Sequence, residues 1–227
     1  MKVLLIIPAY NEQDNIEQVI ATLKRDCPQY DYLIINDGSK DETEKICKRK
    51  GFHFVSHPIN LGLAAAIQTG MLYAYKNGYD AAIQFDGDGQ HSPDYISKMA
   101  NEMEKGYNIV IGSRFVNEKK PFSLRMLGSN LIQTAIKLTT GKTLKDPTSG
   151  MRMFDKTMIK KLAFATDLGP EPDTVALLVR GGASFSEVQV EMHDRTAGES
   201  YLNFSNSVNY MARMLVSILV LQWFRKG

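Results

Sequence analysis

Asp86 and Asp88 stand at i and i+2 in the run Asp86-Gly-Asp-Gly-Gln90-His91, with a glycine after each. Two carboxylates on a backbone that glycine allows to turn tightly can converge on one hard cation, and Gln90 offers a third oxygen. Mg2+ or Mn2+ held by one or two carboxylates completes its shell with water and phosphate oxygens, so the implied ligand is a metal-bound diphosphate. An EF-hand loop needs Gly at its sixth position and Glu at its twelfth. Counted from Asp86, those places hold His91 and Ser97, and the pattern fails at both. A plain Asp-Gly turn is the other alternative, but the motif follows an apolar run, as a loop capping a buried strand does. His91 reads as loop scaffolding or as support for a ligand.

Two further polar loops follow apolar runs. They are Pro8-Ala-Tyr10-Asn11-Glu12 and Asn36-Asp37-Gly38-Ser39-Lys40-Asp41. A carboxylate such as Asp37, at the end of a buried strand, is placed to accept from a base or a ribose. A lone Asp-Gly-Ser reads equally well as a turn capping a helix at Asp41. No G-x-G-x-x-G follows the first apolar run, which removes the main support for a dinucleotide-binding oxidoreductase, and the absence of G-x-x-x-x-G-K-[ST] excludes a P-loop kinase.

The elements that must carry these loops are short β-branched runs alternating with helical periodicity, the pattern of a mostly parallel α/β sheet flanked by helices. Strands are expected at Val3 to Ile7, Tyr32 to Ile35, Phe52 to Val55, Ala81 to Phe85, Asn108 to Ile111 and near Glu187 to Met192. Helices are expected over Asn11 to Arg25, where Ile16, Val19, Ile20 and Leu23 share one face, over Leu61 to Lys76, and from about Asp173 to Val179. In such a doubly wound sheet ligands bind at the carboxyl ends of the strands, so the loops that follow strands carry the chemistry.

The 227 residues are 44% apolar and 23% charged, with a net charge of +2. That describes one globular domain or one domain with an appendage, able to hold a core without disulfides or structural metal. A near-zero net charge argues against a general nucleic-acid binder. The two cysteines, Cys27 and Cys47, make no disulfide framework and no C-x-x-C, and read as idle thiols of a reducing cytoplasm. The apolar run at Val3 to Ile7 is too short for a secretory signal, so a cytoplasmic protein is expected. From Arg114 to Lys145 seven basic residues face a single acid, Glu118, a local net charge of +6. A solvated helix face accounts for lysines such as Lys137.

Taken in order, Ile7-Pro-Ala-Tyr-Asn-Glu12, Asn36-Asp-Gly-Ser-Lys-Asp41, Asn60-Leu-Gly62, Asp86-Gly-Asp-Gly-Gln-His91, Gly112-Ser-Arg114 and Ser149-Gly-Met-Arg152 resemble the family-2 glycosyltransferases of GT-A fold. Within that family the chain resembles the polyprenol-phosphate sugar synthases of dolichyl-phosphate mannosyltransferase type, from Val3 to about Ser200. The resemblance implies a GT-A, Rossmann-like fold, a UDP- or GDP-linked sugar donor, Mg2+ or Mn2+, and inversion at the anomeric carbon. It also implies roles for residues. Pro8, Tyr10, Glu12 and Asp37 would hold the nucleoside, and Asp86, Asp88 and Gln90 the metal and diphosphate. Arg114 and Arg125 match arginines that meet the acceptor phosphate, and Arg195, in Arg195-Thr-Ala-Gly198-Glu-Ser200, matches the element that closes over the diphosphate. The family usually has Lys after that serine, where this chain has Tyr201.

A lipid monophosphate is already anionic near neutral pH, so as a nucleophile it needs positive charge to approach the donor and no general base. Arginine forks match phosphate oxygens. Glu171 and Asp173 lie where relatives with hydroxyl acceptors keep a catalytic acid, and either one acting as a base would imply an alcohol acceptor. The alternatives are thus a glycan or protein hydroxyl acceptor and a non-catalytic nucleotide-sugar-binding subunit. A phosphatase using Asp86 would need its motif after the first strand.

The expected division is a glycosyltransferase domain over residues 1–203 and an apolar C-terminal helix over 204–227. Met214 to Phe224 carries only Ser217 and Gln222 as polar residues before Arg225 and Lys226, too short a run to cross a bilayer. A helix apolar around most of its circumference must be covered, so it is expected to lie at the membrane surface, with Trp223 at headgroup level, or to dock on a small membrane protein or a second copy of the chain. The expected location is cytoplasmic and peripheral to the membrane.

Overall fold

The structure, a computed structural model, describes residues 1–85, 93–121, 123–165, 167–191 and 204–225, without the side chains of 124, 125 and 204–208. The first strand, β1 (Val3–Ala9), is a continuous apolar run because both of its faces are covered. Val3, Leu5 and Ile7 pack with α1 (Ile16–Asp26), α2 (Thr43–Lys50) and α4 (Asp94–Met103) on one side. Leu4 and Ile6 turn to the other side, toward α3 (Leu63–Lys76), α5 (Leu124–Thr140), α6 (Lys156–Phe164), α7 (Pro172–Arg180) and α8 (Phe204–Leu219).

Seven strands make one sheet. From β1 it runs through β2 (Asp31–Asn36) to the edge strand β3 (Phe54–Ser56), and on the other side through β4 (Ala81–Gln84), β6 (Arg152–Asp155) and β5 (Ile109–Ser113) to β7 (Phe185–Gln189). The order β3-β2-β1-β4-β6-β5-β7 reverses direction at β1, the kind of switch point where ligands bind in such sheets. Six of the described strands are mutually parallel. β6 runs against both neighbours, with Arg152 opposite Gln84 of β4 and Ile111 of β5. The sequence reading missed this strand, and its reversal has a consequence for the site: the loop entering β6 lies at the same edge as the loops leaving the parallel strands.

Cys27 and Cys47 are buried, and burial pushes both thiols up to about 11. They are inert packing groups.

The C-terminal expectation requires correction. α8 stops at Leu219 and the chain continues as a 3-10 turn over Leu221–Trp223, so no apolar helix runs through to Phe224. Apolar residues lie on both the inner and the outer side of α8. Met214, Ser217 and Ile218 are buried against α5 and α7, while Val216, Leu219, Val220, Leu221, Trp223 and Phe224 are exposed. Among the described residues no helix is long and apolar enough to cross a membrane.

α3 lies close against the sheet at Gly70, where an added Cβ would lie 2.3 Å from Ile6 Cγ2. Ile6 is fully buried in β1 and cannot step aside. Gly70→Ala gains about 1 kcal/mol of helix propensity, yet overpacking of this kind costs about 1–3 kcal/mol. We expect a net loss of stability, read as a lower urea midpoint with an unchanged slope.

Candidate active site

The loops after β1 and β2 are bonded to each other. Asp37 N–H donates to the Ala9 carbonyl at 2.8 Å, Asn11 N–H to Ser39 Oγ at 3.0 Å, Glu12 N–H to Thr43 Oγ1 at 2.9 Å, and Lys40 N–H to Asn11 Oδ1 at 2.8 Å. Asn11 accordingly takes φ 56°, a conformation that asparagine tolerates and most residues do not. Pro8, Tyr10, Glu12 and Asp37, expected to meet the nucleoside, are thus brought to two adjoining strand ends at the switch point.

Asp37 is buried and its carboxylate holds a third loop. Oδ1 accepts the Leu61 N–H at 2.9 Å and lies 2.7 Å from His57 Nδ1, while Oδ2 accepts the Gly62 N–H at 2.7 Å. Acceptance by the carboxylate places the proton on Nδ1, so in the neutral ring Nε2 accepts from the Thr69 hydroxyl at 2.9 Å. Gly38 completes the turn at φ +64°, and a Cβ there would lie 2.3 Å from the Ile59 carbonyl carbon. The turn alternative at this motif also has a counterpart: Asp41 Oδ1 takes the Thr43 N–H at 3.0 Å, at the start of α2. Asp37 therefore organises Asn60-Leu-Gly62, and sequence reasoning missed that role because the partner segment lies more than 20 residues away.

After β5 comes Arg114, gripped by Asp146. Arg114 Nε donates to Asp146 Oδ2 at 2.7 Å and Nη2 to Oδ1 at 2.8 Å, the backbone N–H adds a contact to Oδ2 at 3.1 Å, and Nη2 also reaches Thr148 Oγ1 at 3.2 Å. Asp146 is fully buried. Burial alone would raise its pKa, but the Arg114 hydrogen bonds and charge, with the Thr148 hydroxyl, hold the carboxyl below the usual carboxylate range. Glu187 Oε1 fixes the same segment by accepting the Asp146 N–H at 3.0 Å. Arg114 is thus a fixed cation whose Nη1 edge makes no hydrogen bond among the described residues.

Much of the surrounding basic stretch is structural. Lys120 Nζ donates to Ser129 Oγ at 3.1 Å and Gln133 Oε1 at 2.9 Å on α5, and burial lowers its pKa. Lys145 Nζ donates to the Val116 carbonyl at 2.9 Å. Arg125 stands in the first turn of α5, after an N-cap in which Ser123 Oγ accepts the Met126 N–H. Its side chain lies outside the described residues, as do Asp86, Asp88, Gln90, His91 and Arg195. Just past β4, the last described residue before that motif, Phe85, is bonded to β1, its N–H donating to the Ile6 carbonyl at 2.9 Å. Among the described residues no group of three or more His, Cys, Asp or Glu side chains could hold a metal.

On the far side of β4, Arg152 enters β6 with its side chain 2% exposed. Nη1 donates to the carbonyls of Pro170 at 2.6 Å and Glu171 at 3.2 Å, and Nη2 to that of Pro147 at 2.9 Å. The segment so held carries both carboxylates weighed as a catalytic acid or base, and α8 occupies each of them. Tyr210 Oη donates to Glu171 Oε2 at 2.5 Å. Ser217 Oγ and Arg225 Nη1 donate to Asp173 Oδ2 at 2.5 and 2.9 Å, and Asp173 Oδ1 accepts the Thr174 N–H.

Comparison with known proteins bears on the family and the fold. The profile of glycosyl transferase family 2 matches residues 4–163. A polyprenol monophosphomannose synthase of Mycolicibacterium smegmatis is 27% identical over 219 residues, covering 90% of this chain and 82% of its own. A UDP-N-acetylglucosamine–dolichyl-phosphate N-acetylglucosaminyltransferase of Methanococcus voltae is 36% identical over 183 residues, 71% of this chain and 72% of its own. Among solved structures, glucosyl-3-phosphoglycerate synthase of Mycobacterium tuberculosis, in complex with Mn2+, UDP-glucose and phosphoglyceric acid, superposes with a TM-score of 0.70. That match is 16% identical and covers 100% of this chain and 81% of the other, a shared GT-A-like fold.

The Arg114–Asp146 pair yields a prediction. Since the folded-state pKa of Asp146 is depressed, its stabilisation is complete above the unfolded value of about 3.9 and is lost as pH falls through the folded value. Asp146→Asn leaves a guanidinium without its counter-charge and is expected to cost about 3 kcal/mol near neutral pH. In denaturant melts across pH, that difference should shrink toward the acid end.

Proposed function

The chain belongs to glycosyl transferase family 2, and we propose that it moves a sugar, with inversion, from a UDP- or GDP-linked donor to a polyprenyl phosphate at the cytoplasmic face of a membrane. The observation that carries the acceptor class is the occupation of Glu171 and Asp173 by Tyr210, Ser217 and Arg225. A hydroxyl acceptor must lose a proton to a positioned base, and here both candidate carboxylates already accept from α8. A phosphate monoester needs no base. It needs fixed positive charge, and Arg114 supplies a guanidinium whose position is set before the acceptor arrives. Relatives that act on polyprenol and dolichyl phosphates support the same acceptor.

In this reading Pro8, Tyr10, Glu12 and the Asp37-ordered loop receive the nucleoside, Arg114 and Arg125 receive the acceptor phosphate, and Arg195 meets the diphosphate. Asp86, Asp88 and Gln90 would hold the divalent cation, since an all-oxygen donor set suits Mg2+ or Mn2+. Bound there, the cation would neutralise charge on the departing nucleoside diphosphate. The chain's own residues do the remaining work of orientation: Asp37 fixes 61–62 against the strand ends, and Asp146 fixes the direction in which Arg114 points.

Membrane contact is assigned to the outward faces of α5 and α8. Leu127, Leu131 and Leu138 share one face of α5 and are exposed, as are Val216 and Leu219 on α8 and Val220, Trp223 and Phe224 beyond it. An aromatic pair beside Arg225 is the composition of a membrane–water boundary. Residues 204–227 serve in this reading as the docking segment for a lipid surface. A small membrane protein or a second copy of the chain is the alternative occupant.

The acceptor assignment is tested by incubating the protein and Mg2+ with a panel of nucleotide sugars and either undecaprenyl phosphate or undecaprenol, followed by mass spectrometry. A sugar-phosphate lipid is expected from the phosphate alone, and product from the free alcohol would overturn the assignment. Deleting the tail would remove Met214 and Ile218 from the core, so membrane contact is better tested by surface change. Val216, Leu219 and Val220 replaced together by serine should lower co-sedimentation with phosphatidylglycerol vesicles severalfold while leaving the melting temperature within a few degrees. Failure of the unaltered protein to sediment would sink the membrane placement.

A further inference from the structure

Glu171 and Asp173 differ in a way that matters for reactivity. Asp173 is 6% exposed and bonded at both oxygens, to Thr174 through one and to Ser217 and Arg225 through the other. Glu171 is only half-buried, and its described contact is the single hydrogen bond from Tyr210 to Oε2. Burial, followed by the adjacent Glu171 charge and hydrogen bond, pushes the Tyr210 hydroxyl well above its ordinary pKa, so it stays a donor. Glu171 is also tied to the carboxyl end of β4. Its carbonyl accepts from Arg152, and Arg152 is paired across the sheet with Gln84, the last residue of β4. On the other side Gly169 abuts Ala64 at the start of α3, 3.3 Å from where its own Cβ would be, just after the loop that Asp37 orders. The 169–173 segment therefore bridges the two sides of the site.

On the phosphate-acceptor reading given above, we infer that Tyr210 is a specificity-determining residue. By holding Glu171 Oε2 it keeps the carboxylate turned toward α8 and away from a water or alcohol that would need it as a base, while an already ionised phosphate is unaffected. The suppressed reaction is balanced as follows. The oxygen of a water or an alcohol bonds to the sugar's C1, the bond from C1 to the diphosphate oxygen breaks, the electron pair leaves with the nucleoside diphosphate, and the nucleophile's proton passes to the Glu171 carboxylate. Ser217 and Arg225 hold Asp173 in the same way, at a carboxylate that is mostly buried.

The experiment uses the full chain with Mg2+ and the nucleotide sugar that serves it best. Lipid product is measured with undecaprenyl phosphate present, and nucleoside diphosphate release is measured with the acceptor omitted. Tyr210→Phe keeps the ring in its packing and removes only the hydroxyl. The expected result is a rise in acceptor-free release of about tenfold or more, below the 10²–10⁴ that a well-placed base supplies, with lipid transfer changed less than about threefold. Adding Glu171→Gln to Tyr210→Phe should return release to the wild-type level. No rise in Tyr210→Phe would overturn the inference. So would a rise that persists in the double variant, because it would come from a loosened segment and not from a freed carboxylate. Absence of lipid product from the wild-type protein is a separate result, and it overturns the acceptor reading itself.

Discussion

A guanidinium 2% exposed at the edge of a sheet must find acceptors for its N–H groups without help from bulk water, and Arg152 finds the carbonyls of Pro147, Pro170 and Glu171. Those three carbonyls belong to two segments that are otherwise far apart in the chain. The requirement can be met only because β6 runs against its neighbours and delivers its first residue to the edge where the parallel strands end. Had β6 run with β4 and β5, Arg152 would enter the sheet at the opposite end. Residues 146–151 would then lie out of reach of Arg114. The reversed strand and its buried arginine thus set where the Arg114–Asp146 pair and the 169–173 segment can be.

The two halves of the site use the same device with opposite charge. On the side proposed for the nucleotide a buried carboxylate, Asp37, collects backbone N–H groups from 61 and 62 and a histidine, and so folds a loop over the strand ends. On the side proposed for the acceptor a buried guanidinium collects carbonyls, and a second buried carboxylate, Asp146, aligns Arg114. Buried charges left unpaired would be costly. Paired as they are, they fix loops that would otherwise wander, and a site for highly charged ligands gains most from donors already in place. Arg114 accordingly has two jobs, and any substitution there leaves Asp146 buried without its partner.

Strand ends and their loops were legible in the sequence because the apolar runs that precede them are covered on both faces and so stay continuous. This is why Val3, Asp31 and Ala81 all begin strands within a residue or so of expectation. β6 was not legible. Arg-Met-Phe-Asp offers two apolar residues between two charges, and only long-range pairing makes it a strand. α2 was hidden likewise, since Thr43, Ile46 and Cys47 are its buried residues amid lysines and acids. The Asp37 and Asp146 networks join residues that no local window contains. What misled at the C-terminus was composition. Met214 to Phe224 is apolar, but Ser217 and Gln222 fall on the inward side, and they are buried while Val216, Val220 and Phe224 are not.

That inversion of the usual arrangement carries a structural consequence. A helix held to a protein core by apolar contact alone could be drawn off it by a lipid surface of equal apolarity, because nothing would distinguish the two environments. α8 is held on its inner side by directed bonds as well as by Met214 and Ile218, from Tyr210 to Glu171 and from Ser217 and Arg225 to Asp173. Such bonds have no equivalent in hydrocarbon, and breaking them there would leave buried polar groups unsatisfied. The outer side is therefore free to be apolar without endangering the fold. The polar anchors also tie the helix to the segment that Arg152 holds, so whatever covers Val216 and Val220 is mechanically continuous with the acceptor side of the site.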